Sequence, residues 1–236
     1  MNWKQLAVSL FGVDHGLHGI GQDGDFLQGT VVFDGAPLTV IGTTNHAPIG
    51  VRLALCQARA VLDTIGAHPG RPILLLIDTQ GQQLRRRDEL LGINRAMAHL
   101  GLCVDLARRR GHRVIGLVYD QALSGGFITS GLIADACYAL PEAEIRVMRL
   151  PAMARITKLA PELLEAMSRH NPVFAPGVAN YVAMGGVRGV WEGDLAAGLR
   201  DALAHAPLED RRAADGGARG GRRLAAEVVR RVLAAA

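Results

Sequence analysis

Lysine is almost missing from this chain. Of 26 basic residues only Lys4 and Lys158 are lysines, so a catalytic lysine has two candidates at most. Cysteine is scarce too. Cys56, Cys103 and Cys137 are odd in number and far apart, which fits neither a disulfide framework nor a zinc site and leaves buried thiols. Aromatic residues make up 4% and do not interleave with basic ones, so a stacking platform for single-stranded nucleic acid is not expected. No apolar run reaches membrane-spanning length. The first eleven residues have neither an adequate h-region nor a small-residue cleavage site, so no signal peptide is read and a cytoplasmic protein is expected. No strand is followed by G-x-G-x-x-G, which excludes a Rossmann dehydrogenase.

What is present is 236 residues with 49% hydrophobic content, enough for one sizeable core. The formal net charge of +4 is mild and suits an acidic protein partner or a phosphate-bearing ligand. The organising stretch is RVIGLVYDQALSGGFITSGLIADACYAL, residues 113–140. Val114 to Tyr119 is apolar and β-branched without alternation, as in a strand covered on both faces. Ser124-Gly125-Gly126 then turns the chain into a small-residue helix expected from Phe127 to about Asp135, and Cys137 to Leu140 is a further short strand. About forty residues upstream, PILLLIDT is a second buried strand, and it runs into Gln80-Gly81-Gln82. Glycine at such turns lets backbone approach a ligand, and a helix's first N–H groups have no intrahelical partners. Two such turns side by side could aim backbone donors at a single anion or oxyanion.

The rest of the chain fills in around these turns. Asp14 to Asp25 is glycine-rich and polar and is expected to be a loop, with His15 and His18 lacking the further ligands a metal needs. Thr30 to Phe33 and Leu38 to Thr43 form a hairpin around Asp34-Gly35. Gly50 to Ile65 has a helical apolar period ending at Gly66. Arg85, Arg86 and Arg87 precede a long helix expected from Asp88 to Arg110. They read either as a solvated face or as a receiver of phosphates or of an acidic carrier surface. A short strand, Glu144 to Met148, leads to helices at Ala152 to Ala160, Glu162 to His170, Val178 to Met184 and Asp194 to His205. Leu208 to Arg223 lacks apolar periodicity and reads as a mobile linker before a short helix, Leu224 to Leu233.

The IDTQG and SGGF segments resemble the carboxyltransferase branch of the crotonase-like superfamily. The runs SGGFITSGLIADACYALPEAEIRVM and RITKLAPELLEAMSRHNPVFAPGVANYVAMGG resemble the gamma subunits of biotin-independent malonate decarboxylases. The resemblance implies an α/β, crotonase-like (ClpP/crotonase) ββα superhelix with a helical C-terminal annex. One such domain would span residues 1–207, with a loop-rich lead-in at 1–28 and the annex at 151–207, and 208–236 would be linker and terminal helix. It further implies decarboxylation of a malonyl thioester to an acetyl thioester through an enolate held by backbone donors at Gly81, Gln82, Gly125, Gly126 and Phe127. Carboxyltransferases of this type use two related halves, so a second crotonase-like (beta) subunit is expected, along with other subunits of the complex. The substrate would arrive on an acyl carrier protein through a coenzyme-A-derived thioester prosthetic group, with Arg85, Arg86 and Arg87 receiving it and no biotin involved. Two departures stand out: Gln80 replaces the family's proline, and Phe127 stands where related carboxylases often carry alanine. The rival resemblance is to signal-peptide-peptidase-A-like serine peptidases, with Ser124 as nucleophile, and lysine scarcity argues against it. A third reading is a non-catalytic scaffold that completes a partner's site.

Overall fold

The computed structural model describes residues 1–170, 177–222 and 224–235. It opens with helix α1 (Trp3–His18) and strands β1 (Ile20–Asp23), β2 (Phe26–Phe33), β3 (Ala36–Thr43) and β4 (Ala47–Ile49). Helix α2 (Val51–Ala67) leads to β5 (Ile73–Gln82), and α3 (Arg86–Leu90) and α4 (Ile93–Arg109) lead to β6 (Val114–Leu123). Helix α5 (Ser124–Phe127) runs straight into a π-helical turn (Ile128–Leu132), followed by β7 (Ala136–Ala139) and β8 (Glu144–Arg146). The C-terminal part holds α6 (Leu150–Thr157), α7 (Pro161–His170), α8 (Val178–Ala183), β9 (Gly189–Val190), α9 (Leu195–His205), α10 (Arg212–Ala218) and α11 (Ala225–Ala234).

The sheet runs β1-β2-β3-β5-β6-β7-β9, antiparallel through β3 and parallel beyond it. Both long strands are covered on two faces, which is why they show no alternation. Leu74, Leu76, Ile115 and Leu117 pack toward α1 and α9, and Ile73, Leu75 and Val114 pack toward α2 and α4. Partners change along β5 and β6. Ile77 faces Val118, but Thr79 already faces Ala122, so β6 carries two extra residues there. Past this irregularity β4 joins the far end of β5, and β8 joins the far end of β6. The far ends thus form a second, smaller patch of sheet, and both glycine turns hang from it.

Several expectations are corrected. The lead-in is not loop-rich, because Trp3, Leu6, Ala7 and Leu10 recur at helical spacing and are buried. That helix reaches His18 across a break at Gly12 (φ +76°) and β1 follows from Ile20, so the loop expected from Asp14 to Asp25 shrinks to the turn at Gly24 and Asp25. The side chain of His15 lies outside the described residues. The long helix expected from Asp88 splits at Gly92, whose φ of +76° and ψ of +53° end the helical path. The helix after β6 starts three residues early, at Ser124, and closes as a π turn at Leu132. Within the expected linker, α10 packs backbone to backbone on the end of α8: a Cβ on Gly216 would lie 2.2 Å from the Met184 carbonyl oxygen. Among the described residues, no helix is long and apolar enough to cross a membrane.

Candidate active site

The first glycine turn forms where β4 closes on the end of β5. Thr79 is fully buried and donates its hydroxyl proton to the Ala47 carbonyl (2.6 Å), while its Oγ1 accepts the Gly81 N–H (2.9 Å). One side chain therefore pins the strand end to β4 and holds Gly81 at φ +99°, where glycine is favoured. Gln83 donates its N–H to the Ile49 carbonyl on β4 (2.9 Å). Alternation along an extended strand then turns the Gln82 N–H to the opposite edge, toward β6 and α5. The Gln82 carboxamide is tied to Glu89 Oε1 (3.1 Å).

The second turn follows β6. Leu123 is extended and Ser124 takes φ +55°, which reverses the chain abruptly into α5. With Leu123 as cap, the first N–H to find an intrahelical acceptor is that of Phe127; those of Ser124, Gly125 and Gly126 have none. Ser130 Oγ donates to the Gly126 carbonyl (2.6 Å) as the helix widens into its π turn, a local form that gathers at functional sites.

The two turns meet backbone to backbone. A Cβ on Gly126 would lie 2.9 Å from the Cα and carbonyl carbon of Gly81 and from Ile49 Cγ1. A Cβ on Gly81 would lie 2.9 Å from Ser124 Cβ. Glycine is required at both positions by this approach. Gly125 is different: its Cβ would make ordinary contact with Met97 Cε at 3.5 Å. Of the five backbone positions expected from sequence, Gly81 and Gly126 touch, and Gln82 and Gly125 flank the contact. Phe127 is buried, with its ring edge-on to Tyr181 at 6.2 Å between centroids.

The three arginines are exposed at the start of α3. Arg85 and Arg87 line a groove of about 440 Å³ together with Arg52, Gln83 and Asp88, whereas Arg86 does not line it. Asp88 locks this corner. Its carboxylate accepts the Val51 N–H (2.9 Å) and so caps α2, whose own cap residue, Gly50, has no side chain to offer. Leu84, Leu90 and Leu91 stand exposed beside the arginines, at 85%, 77% and 60%.

Tyr119, Asp120 and Gln121 are the polar side chains of β6 just ahead of the second turn. Tyr119 is buried, donates to the Thr43 carbonyl (2.9 Å) and has its pKa raised by desolvation, so it holds its proton. Gln121 is buried and Asp120 is half exposed. The lysines stand apart from Ser124. Lys4 lies over the Trp3 ring (5.8 Å) on α1, Lys158 is exposed at the end of α6, and among the described residues neither hydrogen-bonds the serine. Sequence reasoning missed Thr79, Asp88 and Arg52. Only Thr79 left a signal, as a hydroxyl two residues ahead of the turn glycine; the Asp88 cap spans 37 residues.

A family model described as malonate decarboxylase gamma subunit matches residues 44–236. A malonyl-S-ACP:biotin-protein carboxyltransferase of Malonomonas rubra is 38% identical over 148 residues, 59% of this chain and 51% of that protein. The chain thus aligns with about half the length of that relative. A subunit of the Pseudomonas malonate decarboxylase hetero-tetramer, solved with coenzyme A, superposes with a TM-score of 0.78 at 26% identity, over 98% of this chain and 97% of that one. A chain of the Pseudomonas MdcD-MdcE hetero-dimer gives 0.69 at 25% identity, over 90% and 91%. By sequence and by fold, the chain belongs to the malonate decarboxylase gamma subunit family.

Proposed function

We propose that this chain is one half of a decarboxylase acting on a malonyl thioester carried by an acyl carrier protein. The carrying observation is the backbone contact between Gly81 and Gly126, which sets the end of β5 beside the orphan N–H groups of α5. Decarboxylation of a malonyl thioester needs no general base. The bond to the carboxylate breaks, carbon dioxide leaves, and the electron pair moves onto the thioester carbonyl as an enolate; a proton then adds to carbon. Fixed N–H donors aimed at the oxygen lower that barrier, and losing one typically costs a hundredfold or more in rate. The donors on this chain are the N–H groups of Gln82, Gly125 and Gly126. Gly81 spends its own N–H on Thr79 and serves by allowing the turn. Phe127 has its N–H inside the helix and serves by packing.

The groove lined by Arg85, Arg87 and Arg52 would take the phosphates of the coenzyme-A-derived prosthetic group or the acidic face of its carrier. Support comes from the relatives: one is named for malonyl-S-ACP, and one was solved with coenzyme A. The exposed leucines beside the groove suit burial by a second crotonase-like subunit, as the Pseudomonas hetero-dimer suggests. The test is to express both subunits separately and mix them. The isolated chain is expected to decarboxylate a malonyl thioester poorly, and the mixture to be active and to co-elute in gel filtration. Full activity from this chain alone would overturn the half-site reading.

A further inference from the structure

Where β5 and β6 lose register, three side chains from three parts of the chain converge. Asp78 is the β5 residue inside the irregularity, Asp120 is one of the β6 residues beside it, and His46 precedes β4. Extra residues in a strand re-aim side chains, and here two acidic ones turn toward a single imidazole. His46 Nε2 lies 3.4 Å from Asp120 Oδ1 and 3.8 Å from Asp78 Oδ1, and the three ligand atoms all lie within 4.8 Å of one another. Adjacent ligands around a tetrahedral zinc ion sit roughly 3.3–3.5 Å apart, given metal–ligand bonds of about 2.0–2.1 Å. The His46–Asp120 pair already has that spacing. The other two separations are longer, and the half-exposed side chains of His46 and Asp120 have the freedom to close on the fixed Asp78 carboxylate.

The buried member is the informative one. The Asp78 side chain is 4% exposed. Its Oδ2 accepts the His46 backbone N–H (2.8 Å), while Oδ1 has no hydrogen-bond partner among the described residues and points at the imidazole from beyond hydrogen-bond reach. An orphan carboxylate oxygen is costly inside a protein. Burial penalises the charged form of this carboxylate, and the His46 backbone N–H is the contact that offsets the penalty most. Among the described residues, no arginine or lysine is ion-paired with either aspartate. Two carboxylates and an imidazole whose ligand atoms lie within 4.8 Å of one another, with one buried oxygen lacking a hydrogen bond, make a donor set for a borderline divalent cation rather than for calcium or magnesium.

We propose that His46, Asp78 and Asp120 bind one divalent transition cation of the zinc class, with water in the remaining position. The ion would clamp the head of β4 to the irregular segments of β5 and β6. It would stand one residue from Ala47, whose carbonyl holds Thr79 and through it Gly81, so it would also stiffen the first glycine turn. This inference does not depend on the reaction assigned to the site.

The test uses the full, tag-free chain stripped with a chelator. Titrating Co²⁺ should give visible absorption that saturates at one equivalent and is displaced by Zn²⁺, and excess Zn²⁺ should raise Tm by a few degrees, roughly as mass action requires. Affinity for Zn²⁺ measured by calorimetry should fall at least about tenfold in His46→Gln and in Asp120→Asn. Both positions are accessible to solvent, so these variants keep the fold, as circular dichroism would verify. Asp78→Asn retains an acceptor for the His46 N–H and should lose binding as well. The site is refuted if the stripped wild-type chain binds neither ion at one equivalent, or if His46→Gln and Asp120→Asn bind Zn²⁺ as the wild type does.

Discussion

Gly126 has no room for any side chain, and Ser124 has room but an awkward backbone. Ser124 sits at φ +55°, a region that non-glycine residues enter at a cost. Its conformation belongs to the sharp strand-to-helix turn, a geometry that serine nucleophiles also use on other folds. The two roles give opposite mutational orders. If the turn supplies backbone donors, Ser124→Ala in the assembled complex keeps malonyl-thioester decarboxylation within about tenfold, because one local hydroxyl is lost. Gly126→Val then drops it by about a hundredfold or more, since its Cβ would overlap Gly81 and part the two turns. Gly125→Ala falls between them, having space for a methyl beside Met97. Steady-state rates on folded protein decide the matter. A folded but inactive Ser124→Ala, labelled in its wild-type form by a serine-directed inhibitor, would return the turn to peptidase chemistry.

At the scale of the element, α2 and α3 are joined by one carboxylate. Asp88 lies in the first turn of α3 yet satisfies the N-terminal N–H of α2, so the arginine-bearing turn is held where the groove needs it. Replacing a cap of this kind costs on the order of 1 kcal/mol. Asp88→Ala should therefore lower the urea midpoint by that equivalent, whereas Asp88→Asn, which still accepts, should lose less. The same pair should separate in carrier binding, because freeing α3 releases Arg85 and Arg87 from the groove. Equal midpoints for Ala, Asn and wild type would show that the cap contributes nothing.

For the whole molecule, the arginines are read through the groove rather than through their adjacency in sequence. Arg85 and Arg87 line it, and Arg86 does not. Reversal to glutamate one at a time should weaken association with an acyl carrier protein more at positions 85 and 87 than at 86. The losses should shrink as salt is raised, as expected for exposed charges. Stability should change little, because exposed arginines contribute little to it. Equal effects at all three positions, or none, would make the cluster a solvated face. Surface plasmon resonance at two ionic strengths gives the comparison.

The two central strands were legible from neighbouring residues alone, because residues covered on both faces must be apolar without alternation, as the first halves of β5 and β6 are. So were the glycine turns after them and the carboxyltransferase likeness they carry, since only glycine permits such close backbone approach. Helices with a regular apolar stripe were legible at α2 and α9; α1 had the same stripe at Trp3, Leu6, Ala7 and Leu10, hidden by the polar glycine-rich run after it. The remaining features depend on pairings between distant residues, which exist only in the packed fold. Thr79 takes the Gly81 N–H out of the set of outward donors because Ala47, 32 residues away, fixes its hydroxyl. Asp88 caps a helix it does not belong to. His46, Asp78 and Asp120 converge because β6 carries two more residues than β5 between matched pairs, and that mismatch exists only once the strands are in register. Local chemistry is written in neighbouring residues; register is set by the packed sheet.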